Sequence, residues 1–248
     1  MPLRLSEKQS LRYRRQLIMP EIGASGQRRL KQATVLIAGL GGLGSLSALY
    51  MAAAGVGHLK IVDMDRVADS NLNRQILHAT PDIGRRKTDS ARDKLTALNP
   101  DCHIETMATH IADDTVMALT RGCCLILDGT DNLPARRVLN RAARKEGIPF
   151  VFGAVSGFDG MAATFIPGKS GCLECLFPGD APQSPDEIGI IGPTAGVIAA
   201  LQCVEAVKIL VGMESDLAGA LIHFHGLGMR VHKSVFDVNP DCPVCSRQ

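Results

Sequence analysis

Residues 34–44 read TVLIAGLGGLG, a short apolar run that is followed at once by glycines. The apolar run predicts a buried β-strand over residues 34–38. Gly39, Gly41 and Gly44 have the G-x-G-x-x-G spacing, and the small and apolar residues 43–54 predict a tightly packed helix. In such a strand–turn–helix unit, backbone N–H groups at the helix N-terminus can face a phosphate. The segment therefore predicts a nucleotide-binding α/β fold, and by itself it favours NAD.

The order of the other elements extends this prediction to a whole sheet. Residues 58–65 form a second apolar run, and Asp63 near its end stands where an acid hydrogen-bonds a ribose hydroxyl. Strands then alternate with helices, and the second half has more consecutive strands. This order predicts a Rossmann-like, doubly wound α/β fold whose mostly parallel, mixed sheet has helices on both faces. The further predicted strands are residues 102–108, 123–128, 149–155, 161–167, 220–225 and 229–236, and the further helices are 87–98, 193–211 and a segment capped by Asn132.

The composition excludes several classes of function. Apolar residues make up 46% of the 248 residues and charged residues 21%, which argues against disorder. A net charge of +2 is too small to indicate binding to nucleic acid. The N-terminal residues are polar and charged, which argues against a signal peptide. No apolar run is expected to reach the length of a bilayer span, because the long apolar segment near the C-terminus carries Glu205 and Lys208. We expect a cytoplasmic protein with neither nucleic acid nor a membrane as partner.

Cations and amides are dense in two segments after the second strand. Residues 69–75 read DSNLNRQ, and residues 84–92 read GRRKTDSAR. A triphosphate carries more charge than a dinucleotide pyrophosphate, and attack at phosphorus adds charge that Arg, Lys and metal must neutralise. Residues 128–132, DGTDN, place two carboxylates at a strand end, which suits Mg²⁺ held with phosphate oxygens. Any one of these charges could lie on a solvated helix face, but together, on loops after successive strands, they favour a site.

Two cysteine pairs predict a structural zinc site. Cys172 and Cys175 form one C-x-x-C motif, and Cys242 and Cys245 form another. Two such pairs supply the four ligands of a tetrahedral zinc ion that would join the C-terminal tail to the middle of the chain. The alternatives are four unrelated thiols or a redox motif, which is disfavoured because neither pair is predicted to begin a helix after a strand. The remaining cysteines are interpreted as small core residues: Cys102, Cys123, Cys124 and Cys203.

The motifs together resemble one enzyme family, in order and over almost the whole chain. RYRRQ at residues 12–16, GLGGLG, VDMD, SNLNRQ, GRRK, TDN, GCLECLFP and CPVC are similar to the MoeB/ThiF/HesA family, the bacterial relatives of ubiquitin-activating enzymes. The resemblance implies a homodimeric enzyme that binds Mg-ATP, in place of NAD. It also implies that this enzyme adenylates the terminal Gly-Gly of a ubiquitin-like sulfur carrier protein, with a cysteine desulfurase or a rhodanese-type protein as a possible sulfur donor.

The family's functional residues map onto this sequence position by position. Arg74, Lys87 and Asp131 are implied to be catalytic, with Asp131 on magnesium, and Arg15 is implied to reach the ATP site of the other subunit. The residues implied to bind ATP are Gly39, Gly41, Gly42, Gly44, Asp63, Asp65, Ser70, Asn71, Arg74, Gln75, Lys87, Asp131 and Asn132. A carboxylate substrate is already ionised at neutral pH, so this reaction needs no general base. Catalysis is then expected to depend on positioning and electrostatics.

One segment departs from the family's pattern. Some relatives have a cysteine in the loop after the first C-x-x-C, whereas residues 183–193 read QSPDEIGIIGP, with Pro185 near that position. The sequence therefore predicts that the reaction stops at the acyl-adenylate, without a covalent step through this loop. The alternatives are an NAD-dependent oxidoreductase and a non-catalytic scaffold for a ubiquitin-like partner.

The organisation expected is one adenylation domain over residues 1–248. An N-terminal helical segment covers residues 1–32, the nucleotide-binding core residues 33–170, and a zinc-clamped portion that binds the carrier residues 171–248.

Overall fold

The computed structural model describes residues 5–179 and 188–246. Their strands form one sheet in the order β3-β2-β1-β4-β5-β6-β7-β8. The pairs from β3 to β5 are parallel, and those from β5 to β8 are antiparallel, which confirms the predicted mixed sheet. The strands are β1 (Thr34–Ala38), β2 (His58–Val62), β3 (His103–Met107), β4 (Leu125–Asp128), β5 (Phe150–Ser156), β6 (Asp159–Phe165), β7 (Ala220–His225) and β8 (Arg230–Val235).

The helices cover both faces of this sheet. They are α1 (Glu7–Arg12), α2 (Arg14–Leu17), α3 (Gly23–Gln32), α4 (Gly42–Ala54), α5 (Lys87–Leu98), α6 (Val116–Thr120), α7 (Leu133–Glu146), α8 (Leu173–Leu176) and α9 (Gly192–Val211). Alternate residues of β1 enter two separate cores, since side chains on successive strand positions point to opposite faces. Val35 and Ile37 pack with α3, α4, α5 and α9, whereas Leu36 and Ala38 pack with α6, α7 and α8.

The long helix α9 corrects one expectation. By length and composition it could cross a membrane, in spite of Glu205 and Lys208. It packs against α4 and the strands β5 and β6, and half of its most apolar window is buried inside the protein. Glu205 is itself buried and accepts a hydrogen bond from Lys208 at 2.7 Å. The apolar character of α9 is therefore accounted for on its inner face by the core of the sheet.

The N-terminal helices are anchored to the nucleotide-binding core by buried polar contacts. The side chain of Asn99, just after α5, donates to the hydroxyl oxygen of Tyr13 at 2.9 Å and to the carbonyl of Ala52 at 2.7 Å. Gln16 and Gln27 both donate to the carbonyl of Ala54, at 3.0 and 2.9 Å. Residues 6–32 are thus bound to the C-terminal end of α4.

Candidate active site

The candidate site is the cleft at the carboxyl ends of β1, β2 and β4, where an open α/β sheet places its ligand. The glycine loop that follows β1 leads into the N-terminus of α4. Gly39 has a φ of 89°, and a Cβ atom there would lie 2.7 Å from the carbonyl oxygen of Gly129. A Cβ atom at Gly44 would overlap the carbonyl oxygen of Gly39. Only glycine fits at these two positions, and the predicted strand–turn–helix unit is confirmed.

Asp63 connects the end of β2 to this loop. Its Oδ2 accepts the backbone N–H of Leu40 at 2.8 Å, and its Oδ1 accepts that of Asp65 at 2.8 Å. The ammonium of Lys87 lies 2.9 Å from Asp65 Oδ2 and 3.9 Å from Asp63 Oδ2, with 7% of its side chain exposed. Burial raises the pKa of Asp63, and the charge of Lys87 opposes that shift. The structure thus pairs Lys87 with two carboxylates, and contact of these residues with ATP stays a prediction.

The segment 68–75 borders the same end of α4. Arg74 is partly exposed and donates to the carbonyl of Ser70 at 2.8 Å. A Cβ atom at Gly42 would lie 3.8 Å from Arg74 Cγ, and one at Gly41 would lie 3.9 Å from the side-chain nitrogen of Gln75. The side chain of Asn71 accepts the backbone N–H of Ala68 at 3.2 Å. The structure therefore brings this polar segment against the glycine loop, and its contact with ATP stays a prediction.

The loop after β4 supplies one accessible carboxylate, where the sequence suggested two. Asp128 is 1% exposed and accepts Nε of Arg136 at 3.1 Å. Burial raises the pKa of Asp128, and Arg136 opposes the shift. Asp131 is exposed, 3.2 Å from the side-chain nitrogen of Asn132. Asn132 caps α7 as predicted, because its side-chain oxygen accepts the N–H of Ala135 at 2.9 Å. Asp131 alone of these two acids offers oxygen ligands to a cation in the cleft.

Arg15 lies far from this cleft in its own chain. It is exposed on α2, and its neighbour Gln16 is bonded to Ala54 at the C-terminal end of α4. The glycine loop is at the other end of that helix, about 18 Å away at the usual helical rise. Arg15 is therefore outside the group of predicted residues that the fold brings together within one chain.

Two buried polar residues near the cleft were missed by sequence reasoning. His78 bridges Ser90 of α5, at 2.9 Å, and the carbonyl of Leu40 in the glycine loop, at 3.4 Å. Burial lowers the pKa of His78 to about 4, so that it is neutral at physiological pH. Gln202 of α9 donates to the carbonyl of Asp128 at 2.8 Å. The sequence could have indicated Gln202, because it is a polar residue inside an apolar helix, but it gives no comparable signal for His78.

The four predicted zinc ligands converge. The sulfur atoms of Cys172, Cys175, Cys242 and Cys245 all lie within 4.8 Å of one another, with Cys172 3.6 Å from Cys242 and Cys175 3.3 Å from Cys245. Ligands of tetrahedral zinc–thiolate sites are about 3.8 Å apart, so this cluster is compatible with zinc. The prediction that neither cysteine pair begins a helix, which argued against a redox motif, is wrong, because Cys172 is the N-cap of α8.

The other cysteines are buried with one exception. Cys102, Cys123 and Cys203 lie in the core, as interpreted from the sequence. Cys124 is exposed, and its thiol lies 3.1 Å from the carbonyl oxygen of Thr34. Its interpretation as a core residue is therefore wrong.

Pro185 and the rest of residues 180–187, where the sequence departs from the family's pattern, are outside the described residues.

An apolar groove lies on the outer side of α4 and α9, at the end that bears α2 and α3. Several of its side chains are large apolar groups with substantial exposure, among them Tyr50 at 52% and Val204 at 58%. Its main lining residues are Met19, Ile22, Tyr50, Val204, Val207 and Met213. Single exposed apolar residues are common on protein surfaces, whereas a contiguous apolar groove indicates a contact surface.

Comparisons with known proteins identify the family and the fold of the chain. The model of the ThiF family matches residues 13–244. The sulfur carrier protein adenylyltransferase of Thermus thermophilus is 40% identical over 252 residues, which cover 98% of this chain and 93% of the relative. The SAMP-activating enzyme E1 of Haloferax volcanii is 39% identical over 250 residues, with 99% and 92% covered. The crystal structure of E. coli MccB with MccA-N7isoASN has a TM-score of 0.86 over 94% of this chain and 74% of that one, and at 23% identity it shows the fold alone. The chain belongs to the ThiF family.

Proposed function

We propose that this protein is an ATP-dependent adenylyltransferase, which activates the C-terminal carboxylate of a ubiquitin-like sulfur carrier protein as an acyl-adenylate. The observation that carries the proposal is the convergence of the glycine loop, Arg74, Lys87 and Asp131 at the carboxyl ends of adjacent strands. Two relatives that are about two-fifths identical over nearly their whole length support it: one is named a sulfur carrier protein adenylyltransferase, and the other a SAMP-activating enzyme. The acyl group would then serve sulfur transfer in the biosynthesis of a cofactor or a thio-metabolite.

The reaction follows from the charges in the cleft. The carrier's carboxylate attacks the α-phosphorus of ATP, a P–O bond forms, and the bond to pyrophosphate breaks with its electron pair on the leaving group. Arg74, on the exposed rim, and Lys87 would neutralise charge that develops on the phosphates. Lys87 must exchange at least part of its contact with Asp65 for phosphate oxygens. A triphosphate carries more negative charge than the single carboxylate of Asp65, which favours that exchange.

A magnesium ion fits the donor groups at the cleft. Mg²⁺ prefers carboxylate and phosphate oxygens, and Asp131 presents an exposed carboxylate beside the amide of Asn132. Asp131 would hold the ion, which supplies charge neutralisation at the phosphates. The Asp128 carboxylate is engaged by Arg136, so it is not assigned this role.

The homodimer is part of the same proposal. Arg15 lies next to Gln16, which is bonded to the C-terminal end of α4, and the glycine loop is at the other end of that helix, about 18 Å along its axis. Arg15 is therefore proposed to serve the ATP site of a second copy. The apolar groove that includes Tyr50 and Val204 lies beside α2 and offers a surface for that contact. Each site would then need both subunits.

The C-terminal portion is assigned to the carrier. Strand β8 pairs with β7, and no second partner strand is found for it among the described residues. Its side chains Val231 and Val235 are 59% and 78% exposed. Such an edge can accept a protein partner through backbone and apolar contacts. A zinc ion on the four cysteines would hold the chain that follows β8 against α8.

The proposal also covers the domain organisation, the sulfur donor and the last step on this enzyme. The whole chain acts as one adenylation domain with the N-terminal, nucleotide-binding and zinc-clamped portions given above. A cysteine desulfurase or a rhodanese-type protein supplies sulfur in the cytoplasm. The reaction on this enzyme ends at the acyl-adenylate, and a carrier–enzyme conjugate that reductant cleaves, and that depends on a cysteine outside the C-x-x-C pairs, would contradict this last point.

The test of the activity is ATP–pyrophosphate exchange that depends on the carrier. We expect exchange with one of a panel of carriers that end in Gly-Gly, and none with a carrier that lacks these two residues. Asp131→Ala should lower the exchange rate at least tenfold, whereas the control Asp113→Ala, an exposed acid paired with Arg141, should leave it unchanged. Calorimetric binding of NAD in place of ATP would support the oxidoreductase, and ATP binding without exchange on any carrier would support the scaffold.

A further inference from the structure

The loop that presents Asp131 is built on a buried ion pair. Asp128 is 1% exposed, and its Oδ1 accepts both the backbone N–H of Thr130, at 2.9 Å, and the hydroxyl of Thr130, at 2.7 Å. Its Oδ2 accepts Nε of Arg136 at 3.1 Å. A buried ion pair is weak evidence for stability, because desolvation of the two charges offsets their attraction. A role in fixing local geometry explains it better.

Arg136 connects this loop to the neighbouring strand. Its Nη2 donates to the carbonyl of Thr130 at 2.7 Å and to the carbonyl of Gly153 in β5 at 3.1 Å. The guanidinium also lies over the ring of Phe152, 5.2 Å from its centroid. Thr130 is therefore held at its N–H, its hydroxyl and its carbonyl by the two members of the pair. The next residue along the chain is Asp131.

The same loop, residues 128–130, also packs directly against the glycine loop. The backbone N–H of Gly129 donates to the carbonyl of Ala38 at 2.7 Å, and a Cβ atom at Gly129 would lie 2.7 Å from the Cα of Gly44. Gln202 fixes the other side, through its hydrogen bond to the carbonyl of Asp128 at 2.8 Å. A shift of residues 128–130 would displace Asp131 and the N-terminus of α4 together.

We propose that Arg136 is a positioning residue of the active site, which acts through Asp128 and Thr130 to place the Asp131 carboxylate for the divalent cation that accompanies ATP. It is assigned no contact with substrate. Lysine keeps the charge, but it lacks the planar fork that donates to three acceptors on two segments. The inference rests on the proposed function, because it assigns the cation to Asp131.

The test measures the cation directly. Binding of Mn²⁺ in the presence of the non-hydrolysable ATP analogue AMPCPP is followed by electron paramagnetic resonance for wild type, Arg136→Lys and Thr130→Val. The matched control is Arg141→Lys, on the same helix, where the arginine pairs with the exposed Asp113. Thermal unfolding reports whether each variant is folded.

We expect Arg136→Lys to weaken Mn²⁺ binding about tenfold, and to raise the Mg²⁺ concentration for half-maximal pyrophosphate exchange by a similar factor. Thr130→Val removes only the hydroxyl contact, so a smaller loss of about threefold is expected. Arg141→Lys should behave as wild type.

A folded Arg136→Lys protein whose Mn²⁺ affinity is within twofold of wild type would overturn the inference. If that variant does not fold, unchanged Mn²⁺ affinity in folded Thr130→Val overturns it instead. Failure of the proposed function looks different: wild type would then bind Mn²⁺ with the analogue, yet it would catalyse no exchange with any carrier.

Discussion

The segment that leads into α5, and thus to Lys87, is held by the buried carboxylate of Asp82. Its side chain is 6% exposed, and it accepts hydrogen bonds from the N–H of Ala79 at 2.8 Å, from Arg85 at 2.9 Å and from Lys94. Burial alone would raise the pKa of this carboxyl. The hydrogen bonds from Lys94 and Ala79 outweigh burial and lower the pKa to about 2.

This shift sets the expected effect of Asp82→Asn, which removes the charge and nearly keeps the shape. The pKa falls from 3.8 to about 2 on folding, and one pKa unit corresponds to about 1.4 kcal/mol, so ionisation stabilises the fold by about 2 kcal/mol at neutral pH. Because the folded-state pKa is the lower one, this contribution is complete well above the unfolded pKa and is lost as the pH falls towards about 2. We expect the substitution to lower the free energy of unfolding by about 2 kcal/mol near neutral pH and by roughly half as much near pH ~3.

Urea unfolding followed by far-UV circular dichroism measures both values. The control is Asp113→Asn, since Asp113 is 74% exposed in its pair with Arg141 and should change the free energy by less than about 1 kcal/mol. An effect of Asp82→Asn that is equal at both pH values would refute the linkage argument. An effect at neutral pH no larger than that of the control would refute the assigned strength of the Asp82 contacts.

Two further substitutions test the zinc cluster and the glycine loop. Cys242→Ser should reduce bound zinc, measured by atomic emission, from about one ion per chain to a small fraction, and should lower the Tm by roughly 2–4 °C for each kcal/mol lost; retention of stoichiometric zinc would contradict the four-cysteine site. Gly44→Ala places a methyl group on the carbonyl oxygen of Gly39, so we expect calorimetry to find ATP binding weakened at least tenfold. The control Gly196→Ala, whose new methyl group would meet only Leu46 at 3.8 Å, should bind ATP normally and be more stable by about 0.5–1 kcal/mol; equal ATP affinity in both variants would show that the loop tolerates a side chain.

The strands of this fold could be predicted because each has a strong local signal. Thr34–Ala38 and Ala220–His225 were predicted at their observed bounds, since apolar runs end there at residues that break strands. Helices α6 and α8 were missed, because five and four residues are too few to give a helical period. The glycine spacing located the N-terminus of α4, and part of the reason is local, because a Cβ atom at Gly44 would overlap the carbonyl oxygen of Gly39.

Contacts between distant parts of the chain could not be predicted in this way. The sequence DGTDN suggested two carboxylates for a cation. The Asp128 carboxylate instead pairs with the side chain of Arg136, and this pairing depends on how α7 packs beside β4. The pairing of Lys87 with Asp65 likewise joins residues that are far apart in the chain. The cysteine cluster is the exception, because the spacing within each C-x-x-C motif already restricts the geometry of its ligands.

Asp128 and Arg136 differ in exposure from Arg74 and Asp131, and this difference suits a reaction without a general base. Lys87 is also buried, but it is assigned to the phosphates. Asp128 is buried, Arg136 is partly buried with 13% of its side chain exposed, and both are bonded to backbone groups, so they hold the loops in one arrangement. Arg74 and Asp131 are on the accessible rim, where they can meet phosphates and a cation. When the attacking carboxylate is already ionised, the rate depends on the placement of charge around phosphorus, since preorganised groups need no rearrangement as charge develops. Asp128 and Arg136 hold in place the loop that carries the exposed Asp131. Substitution of either residue should therefore impair the reaction, even though neither is assigned a contact with substrate.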